Sequence, residues 1–196
     1  MIDTLVHLLP AVERSEAPKR LCLKPKGYGL VTLHRPANVD EPVMLRQLMG
    51  TLAQIAADLP LIFPVHPRTR QKLTALSLPM DNPRLQFADP LGYLDFLALE
   101  RDATVVITDS GGVQEETTYL GVPCLTVREN TERPVTVTLG TNTLVGRDMD
   151  RLRLETQRIL RGATRQSHIP PLWDSKASER IADVITSWSS RVVLTR

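Results

Sequence analysis

The 196-residue chain has only two cysteines, Cys22 and Cys124, and no C-x-x-C pair. A disulfide framework is thereby excluded and a cysteine-based zinc site disfavoured, so both are read as reduced thiols in or near the core. The four histidines, His7, His34, His66 and His168, show no H-x-x-x-H spacing, and no metal is expected. Excess charge is lacking too. Lys and Arg number 24 against 22 Asp and Glu, which leaves no electrostatic case for nucleic acid or an anionic membrane as partner. No segment reaches the roughly 18 apolar residues of a membrane span. The apolar start is interrupted by Asp3 and His7 and has no basic flank, so it is not read as a signal peptide, and a cytoplasmic location is expected. Two phosphate signatures are missing: neither G-x-G-x-x-G after a strand nor G-x-x-x-x-G-K-[ST] occurs, which argues against a nicotinamide dehydrogenase and a P-loop nucleotidase. No cofactor is expected.

What is present is a regular alternation. Short apolar runs at 28–33, 61–65, 84–87, 104–107, 124–127 and 143–145 read as strands covered on both faces, as in parallel sheets. Between them, helical spacing runs over 43–57, 68–76, 92–100 and 112–120, and two more helices, 151–160 and 175–188, close the chain. Ser175 is a plausible N-cap for the last. Residues 162–174, with Pro170 and Pro171, read as a linker. Strand and helix repeated in this way predict an α/β fold with a doubly wound, mainly parallel, Rossmann-like sheet. The helix at 2–13 reads as an appendage packed on a domain whose sheet starts near Tyr28.

Open α/β sheets bind ligands beyond the carboxyl ends of their strands, and five successive strand-end loops here carry polar or titratable groups. The strongest is Asp109-Ser110-Gly111-Gly112, where a strand runs into a helix. Open N–H groups and the helix dipole at such a start attract anions, and glycine lets a phosphate come close. Ser110, Gly111 and Gly112 are therefore built to hold a diphosphate. Glu115 and Glu116, a turn later, are placed to accept from ribose hydroxyls. The plainer alternative is an ordinary turn capped by Ser110. His34, beside Arg35 at the end of the first strand, is either structural or a site residue. His66, before Pro67, either caps the sheet or lines the cleft. Arg133 either pairs within its Pro-bounded loop or reaches the diphosphate. Phe96 either packs in the core or stacks on a base.

Taken together, Thr-Leu-His-Arg-Pro-Ala-Asn-Val-Asp at 32–40, Pro-Val-His-Pro at 64–67, Asp-Pro-Leu-Gly-Tyr-Leu-Asp-Phe at 89–96, Thr-Asp-Ser-Gly-Gly-Val-Gln-Glu-Glu at 108–116, Leu-Gly-Val-Pro at 120–123, Arg-Glu-Asn-Thr-Glu-Arg-Pro at 128–134 and Leu-Trp-Asp-Ser-Lys-Ala-Ser-Glu-Arg at 172–180 resemble the UDP-N-acetylglucosamine 2-epimerase family. The resemblance spans residues 2–185. It implies the C-terminal domain of a two-domain glycosyltransferase-B-type fold: residues 1–20 an inter-domain helix and linker, 21–170 a UDP-binding domain, 171–196 a C-terminal helix. It further implies that Ser110, Gly111, Gly112 and Arg133 contact the diphosphate, Glu116 the ribose and Phe96 the uracil. His34 lies by the diphosphate as a candidate catalytic group. Arg35 and His66 match positions linked in some members to a regulatory site. Ala37 stands where several relatives have a polar residue, and Ser175 where many have glycine.

The implied chemistry is isomerisation of UDP-N-acetylglucosamine through elimination and re-addition of UDP. The carboxylates that move the proton at sugar C2 belong to a first domain absent from this sequence, so the chain alone is not expected to turn over. The expected partners are UDP-N-acetylglucosamine or UDP, the first domain, and a second copy in a full-length homodimer. A hydrolysing epimerase that releases UDP, and a non-catalytic UDP-binding module serving a separate domain, are the alternative readings. An isolated half is also expected to bare apolar area at the strand-end edge and to self-associate.

Overall fold

The computed structural model describes residues 1–163 and 166–193. Six strands, β1 (Gly29–Thr32), β2 (Leu61–Pro64), β3 (Leu85–Ala88), β4 (Val105–Thr108), β5 (Cys124–Thr126) and β6 (Asn142–Leu144), form one sheet in the order β3-β2-β1-β4-β5-β6. Every pairing among them is parallel. Each strand was expected from its apolar run, to within one or two residues at either end.

Residues alternate between the two faces of the sheet as a period of two requires. Val31, Phe63, Val105 and Ile107 point into a core with Leu45, Leu48, Leu52 and Ile55 of helix α4 (Pro42–Asp58). Leu30, Ile62 and Val106 point the other way, into a core with Leu99 and Val113, which lie on α6 (Tyr93–Asp102) and α7 (Gly111–Leu120). The first helix, α1 (Ile2–Val12), buries Leu5 and Val12 against Leu97 and Ala98 of α6. Two further helices, α5 (Pro67–Ala75) and α9 (Met149–Leu160), complete the layers, and α10 (Ala177–Val193) ends the described chain.

Three one-turn helices were not foreseen: α2 (Ala17–Arg20), α3 (Pro36–Val39) and α8 (Pro134–Thr138). A single turn shows no hydrophobic period. Each does carry proline in its first two positions, where a preset φ and a missing N–H suit a helix start.

Three other expectations change. Ser175 is not a cap. It lies ahead of the helix with φ 62°, and the N–H of Ser178 is taken instead by the Asp3 carboxylate at 3.0 Å. Cys22 is exposed, and only Cys124 is buried. The expected linker has no helix or strand over its described residues, while residues 164–165, and 194–196 of the C-terminal segment, lie outside the described residues. The main exposed apolar face is on and beside α10, at Leu172, Ile181, Val184, Ile185 and Trp188, and not at the strand-end edge. No helix among the described residues is long and apolar enough to cross a membrane.

Candidate functional site

The chain order reverses between β1 and β4, which lie side by side although two strands, β2 and β3, separate them in the chain. Connections leave in opposite directions there, and a crevice opens beyond the strand ends. His34 stands at the end of β1 and Asp109 at the end of β4. Asp109 is fully buried and collects donors from the facing loop. The backbone N–H of His34 donates to it at 3.1 Å, that of Arg35 at 2.9 Å and the amide of Asn38 at 3.0 Å. His34 Nδ1 is 3.1 Å from Asp109 Oδ1. Burial pushes the Asp109 carboxyl up, but the bonds from His34, Arg35 and Asn38 outweigh it and the net direction is down. The hydrogen bond to Asp109 raises the His34 imidazole above its ordinary value, against the effects of partial burial and of Arg35. An imidazole held toward its cationic form, half exposed at 48%, therefore faces the crevice.

Helix α7 begins two residues after Asp109, at Gly111. Ser110 occupies the N-cap position, yet its side chain makes no capping hydrogen bond. The simple capped-turn reading of Ser110 thus fails: its hydroxyl and the N–H groups of the first turn stay available to an anion. Arg133 lies over this start. A Cβ built on Gly111 would sit 3.7 Å from the Arg133 guanidinium carbon, so the cation rides against bare glycine backbone. Arg133 pairs with Glu115 at 3.2 Å, not with its neighbour Glu132, which Arg128 takes at 2.6 Å.

A buried polar network fixes that arrangement. Gln114 donates to the Ser110 carbonyl at 3.2 Å. Its Oε1 accepts from Thr131 at 2.6 Å and from Asn142 at 3.0 Å. Asn142 also reaches Thr126 and Thr136, and the Thr136 hydroxyl donates to the Arg133 carbonyl at 2.7 Å. One amide on α7 thus ties the helix start to the loop that presents Arg133.

Glu116 is buried on the next turn and accepts from the Tyr93 hydroxyl at 2.7 Å. Phe96, one turn beyond Tyr93, is half-buried and packs its ring on the Leu30 side of the sheet. Ser110, Gly111, Gly112, Arg133 and Glu116 are therefore brought together around α7, with His34 across the crevice and Phe96 on the adjoining helix. His66 stands apart. It is exposed and its Nδ1 accepts from the Arg68 N–H at 3.3 Å, capping α5. Arg35 lines a cavity of about 250 Å³ with Asn38, Arg128 and Arg147, and His66 is not among the lining residues.

Sequence reading passed over Asp109, Gln114 and Tyr93 as site residues. Each left a signal. Asp109 directly follows four apolar or β-branched residues at a strand end, where a charge is costly unless it is paired. Gln114 is one helical turn from Ser110, and Tyr93 is one turn from Phe96.

Comparison with known proteins identifies the family. The UDP-N-acetylglucosamine 2-epimerase family model matches residues 1–186. A UDP-N-acetylglucosamine 2-epimerase of Methanocaldococcus jannaschii is 40% identical over 194 residues, covering 95% of this chain and 52% of the relative. The UDP-2,3-diacetamido-2,3-dideoxy-D-glucuronate 2-epimerase of Pseudomonas aeruginosa is 39% identical over 160 residues, covering 81% of this chain and 44% of the relative. The crystal structure of the Methanocaldococcus jannaschii UDP-GlcNAc 2-epimerase in complex with UDP-GlcNAc and UDP superposes with TM-score 0.83 at 36% identity, over 95% of this chain and 52% of that one. The chain spans about half the length of the relatives it matches. With a family match over nearly its whole length and a relative 40% identical over 95% of the chain, this chain belongs to the UDP-N-acetylglucosamine 2-epimerase family.

Proposed function

We propose that the chain is the UDP-holding half of a UDP-N-acetylglucosamine 2-epimerase. The observation that carries this reading is Arg133 lying over Gly111 at the uncapped start of α7. A guanidinium, open backbone N–H groups and a helix dipole converge there on bare glycine backbone, with the Met1 side chain against Gly112, and that set of donors is what a diphosphate needs. Ser110, Gly111 and Gly112 cradle the phosphates, Glu116 takes the ribose, and Phe96 backs the uracil.

The two relatives above, named for different sugars, are equally similar to this chain at 40% and 39%. The part they share with it is therefore suited to the UDP they have in common, and sugar choice belongs elsewhere. In the proposed reaction a base outside this chain removes the C2 proton, the C1–O bond breaks, and UDP leaves with the bonding pair. The C1=C2 pair of the resulting 2-acetamidoglucal then takes a proton at C2 on the other face, and a UDP oxygen re-forms the bond to the electron-deficient C1. His34, whose imidazole Asp109 biases toward its cationic form, and Arg133 stabilise the charge that builds on the departing diphosphate. Turnover requires the second half, for which the apolar face of α10 offers a docking surface. A cytoplasmic, dimeric full-length enzyme completes the proposal, with Arg35 beside its cavity, and His66, as candidates for a second ligand site.

Calorimetry tests the reading. UDP binds the chain, Arg133→Ala weakens binding about tenfold or more, as loss of a charge-assisted bond does, and neither form turns over UDP-N-acetylglucosamine. No heat with millimolar UDP would overturn it.

A further inference from the structure

A second carboxyl sits beside Glu116, and nothing in the nucleotide assignment uses it. Glu100, near the end of α6, has 0% of its surface exposed, and no donor among the described residues reaches either of its oxygens. A carboxylate at that position would be an unpaired buried charge, which a protein interior does not support. Its carboxyl lies within hydrogen-bonding reach of Glu116. Two ionised carboxylates in contact repel, whereas two carboxyls that share one proton attract. The surroundings decide which one holds the proton. Glu100 is wholly enclosed, while Glu116 retains 6% exposure at the rim of the crevice and already receives the Tyr93 hydroxyl. Burial first, then the negative charge of Glu116, hold the Glu100 carboxyl well above the usual carboxylate range.

We propose that Glu100 is a positioning residue for the nucleotide's ribose: as a neutral acid it donates to Glu116 and, together with the Tyr93 hydroxyl on Oε1, locks the Glu116 carboxylate for a vicinal diol. A carboxylate offers about four acceptor sites. Tyr93 fills one and Glu100 a second, which leaves two for two neighbouring hydroxyl groups. The inference rests on the assignment of Glu116 to the ribose. A leucine or methionine would fill the same volume without desolvating a carboxyl, so packing alone does not call for glutamate at this position.

The test uses two variants of this chain and two nucleotides. Glu100→Gln keeps size and a donor. Glu100→Met keeps size and removes the donor, and a thermal melt checks that it folds. UDP and 2′,3′-dideoxy-UDP are titrated into each, and infrared spectra at neutral pH are searched for the carbonyl band of a protonated carboxylic acid. The unaltered chain is expected to prefer UDP and to show the band. Glu100→Gln should keep the preference and lose the band. Glu100→Met should lose the band and bind UDP about tenfold more weakly, with dideoxy-UDP binding unchanged. Retention of the full UDP preference by Glu100→Met, or survival of the band in Glu100→Gln, overturns the positioning role while leaving the ribose assignment standing. Equal binding of both nucleotides by the unaltered chain instead removes the ribose assignment, and the inference with it.

Discussion

His34 Nδ1 and Asp109 Oδ1 meet at 3.1 Å across the β1–β4 crevice, and the contact joins the two strand ends at which the sheet reverses. Its pH dependence follows from the two shifts. His34 is raised above 6.5, so its contribution to stability is complete below that value and is lost as pH rises through the folded-state value. Asp109 is lowered below 3.8, so its contribution is complete above that value and is lost as pH falls through the folded-state value. The pair therefore stabilises most between 3.8 and 6.5. Urea melts across pH should show His34→Gln losing stability in that window and converging with the unaltered chain above the His34 titration. UDP affinity should fall with rising pH through the same titration, and His34→Gln should flatten that fall. Asp109→Ala strands three buried or half-buried donors and is expected to cost about 3 kcal/mol or more, read as a drop in the urea midpoint.

Gly111→Ala separates fold from function. The added methyl meets nothing closer than the Arg133 side chain at 3.7 Å, an ordinary contact, so the thermal midpoint should stay close to that of the unaltered chain. The same methyl occupies the space a phosphate needs beside the α7 N–H groups, and UDP affinity should fall at least tenfold by calorimetry. Unchanged affinity would place the diphosphate elsewhere.

Gln114→Ala should act on both stability and binding. It leaves Thr131 and one hydrogen of the Asn142 amide without their acceptor and opens a small cavity, a combined loss of about 2–3 kcal/mol. Because Asn142 and Thr136 link Gln114 to the Arg133 carbonyl, UDP binding should weaken even at temperatures where the variant is fully folded. A variant that is destabilised but binds UDP normally would show that the network holds the fold and not the site.

The two thiols should behave differently. Burial pushes Cys124 up to about 12, so it stays neutral and shielded, whereas Cys22 is exposed. A thiol-specific chromogenic reagent should titrate one group rapidly in the native chain and two after denaturation. Two rapid thiols in native buffer would contradict the packing of β5.

At Ser175, with φ 62°, a side chain is held in the left-handed region that glycine enters freely. Glycine occupies the matching position in many relatives by resemblance, and the sequence-based explanation was capping. Backbone conformation replaces it. Ser175→Gly should leave the thermal midpoint unchanged or raise it by up to about 1 kcal/mol equivalent, and a loss of similar size would mean that the serine makes a contact that matters.

Much of the fold was legible along the chain because its signals are local. Leu30, Ile62 and Val106 alternate with Val31, Phe63 and Ile107 in short apolar runs, and α4 repeats its leucines every three or four residues, so type and approximate extent follow from period. One-turn helices such as Pro36–Val39 offer no period to read. The glycine-rich helix start at Ser110-Gly111-Gly112, for which anion binding is proposed, was equally local, since it depends on a strand running into a helix. Which residues complete that site was not. Arg133 was read as pairing within its own loop or reaching a diphosphate, and its pairing with Glu115 in place of adjacent Glu132 arises because β5 lies beside β4. Asp109 was one more loop acid until the sheet order put His34 against it, and the full burial of Glu100 on α6 has no local signal. The sequence by itself determined the elements, their parallel winding, and the glycine-rich helix start, because backbone propensity and hydrophobic period act between near neighbours. Only the tertiary structure decided who pairs with whom, because hydrogen bonds and proton positions depend on contacts between residues 75 apart in the chain, as His34 and Asp109 are, and on the water that packing removes from around them.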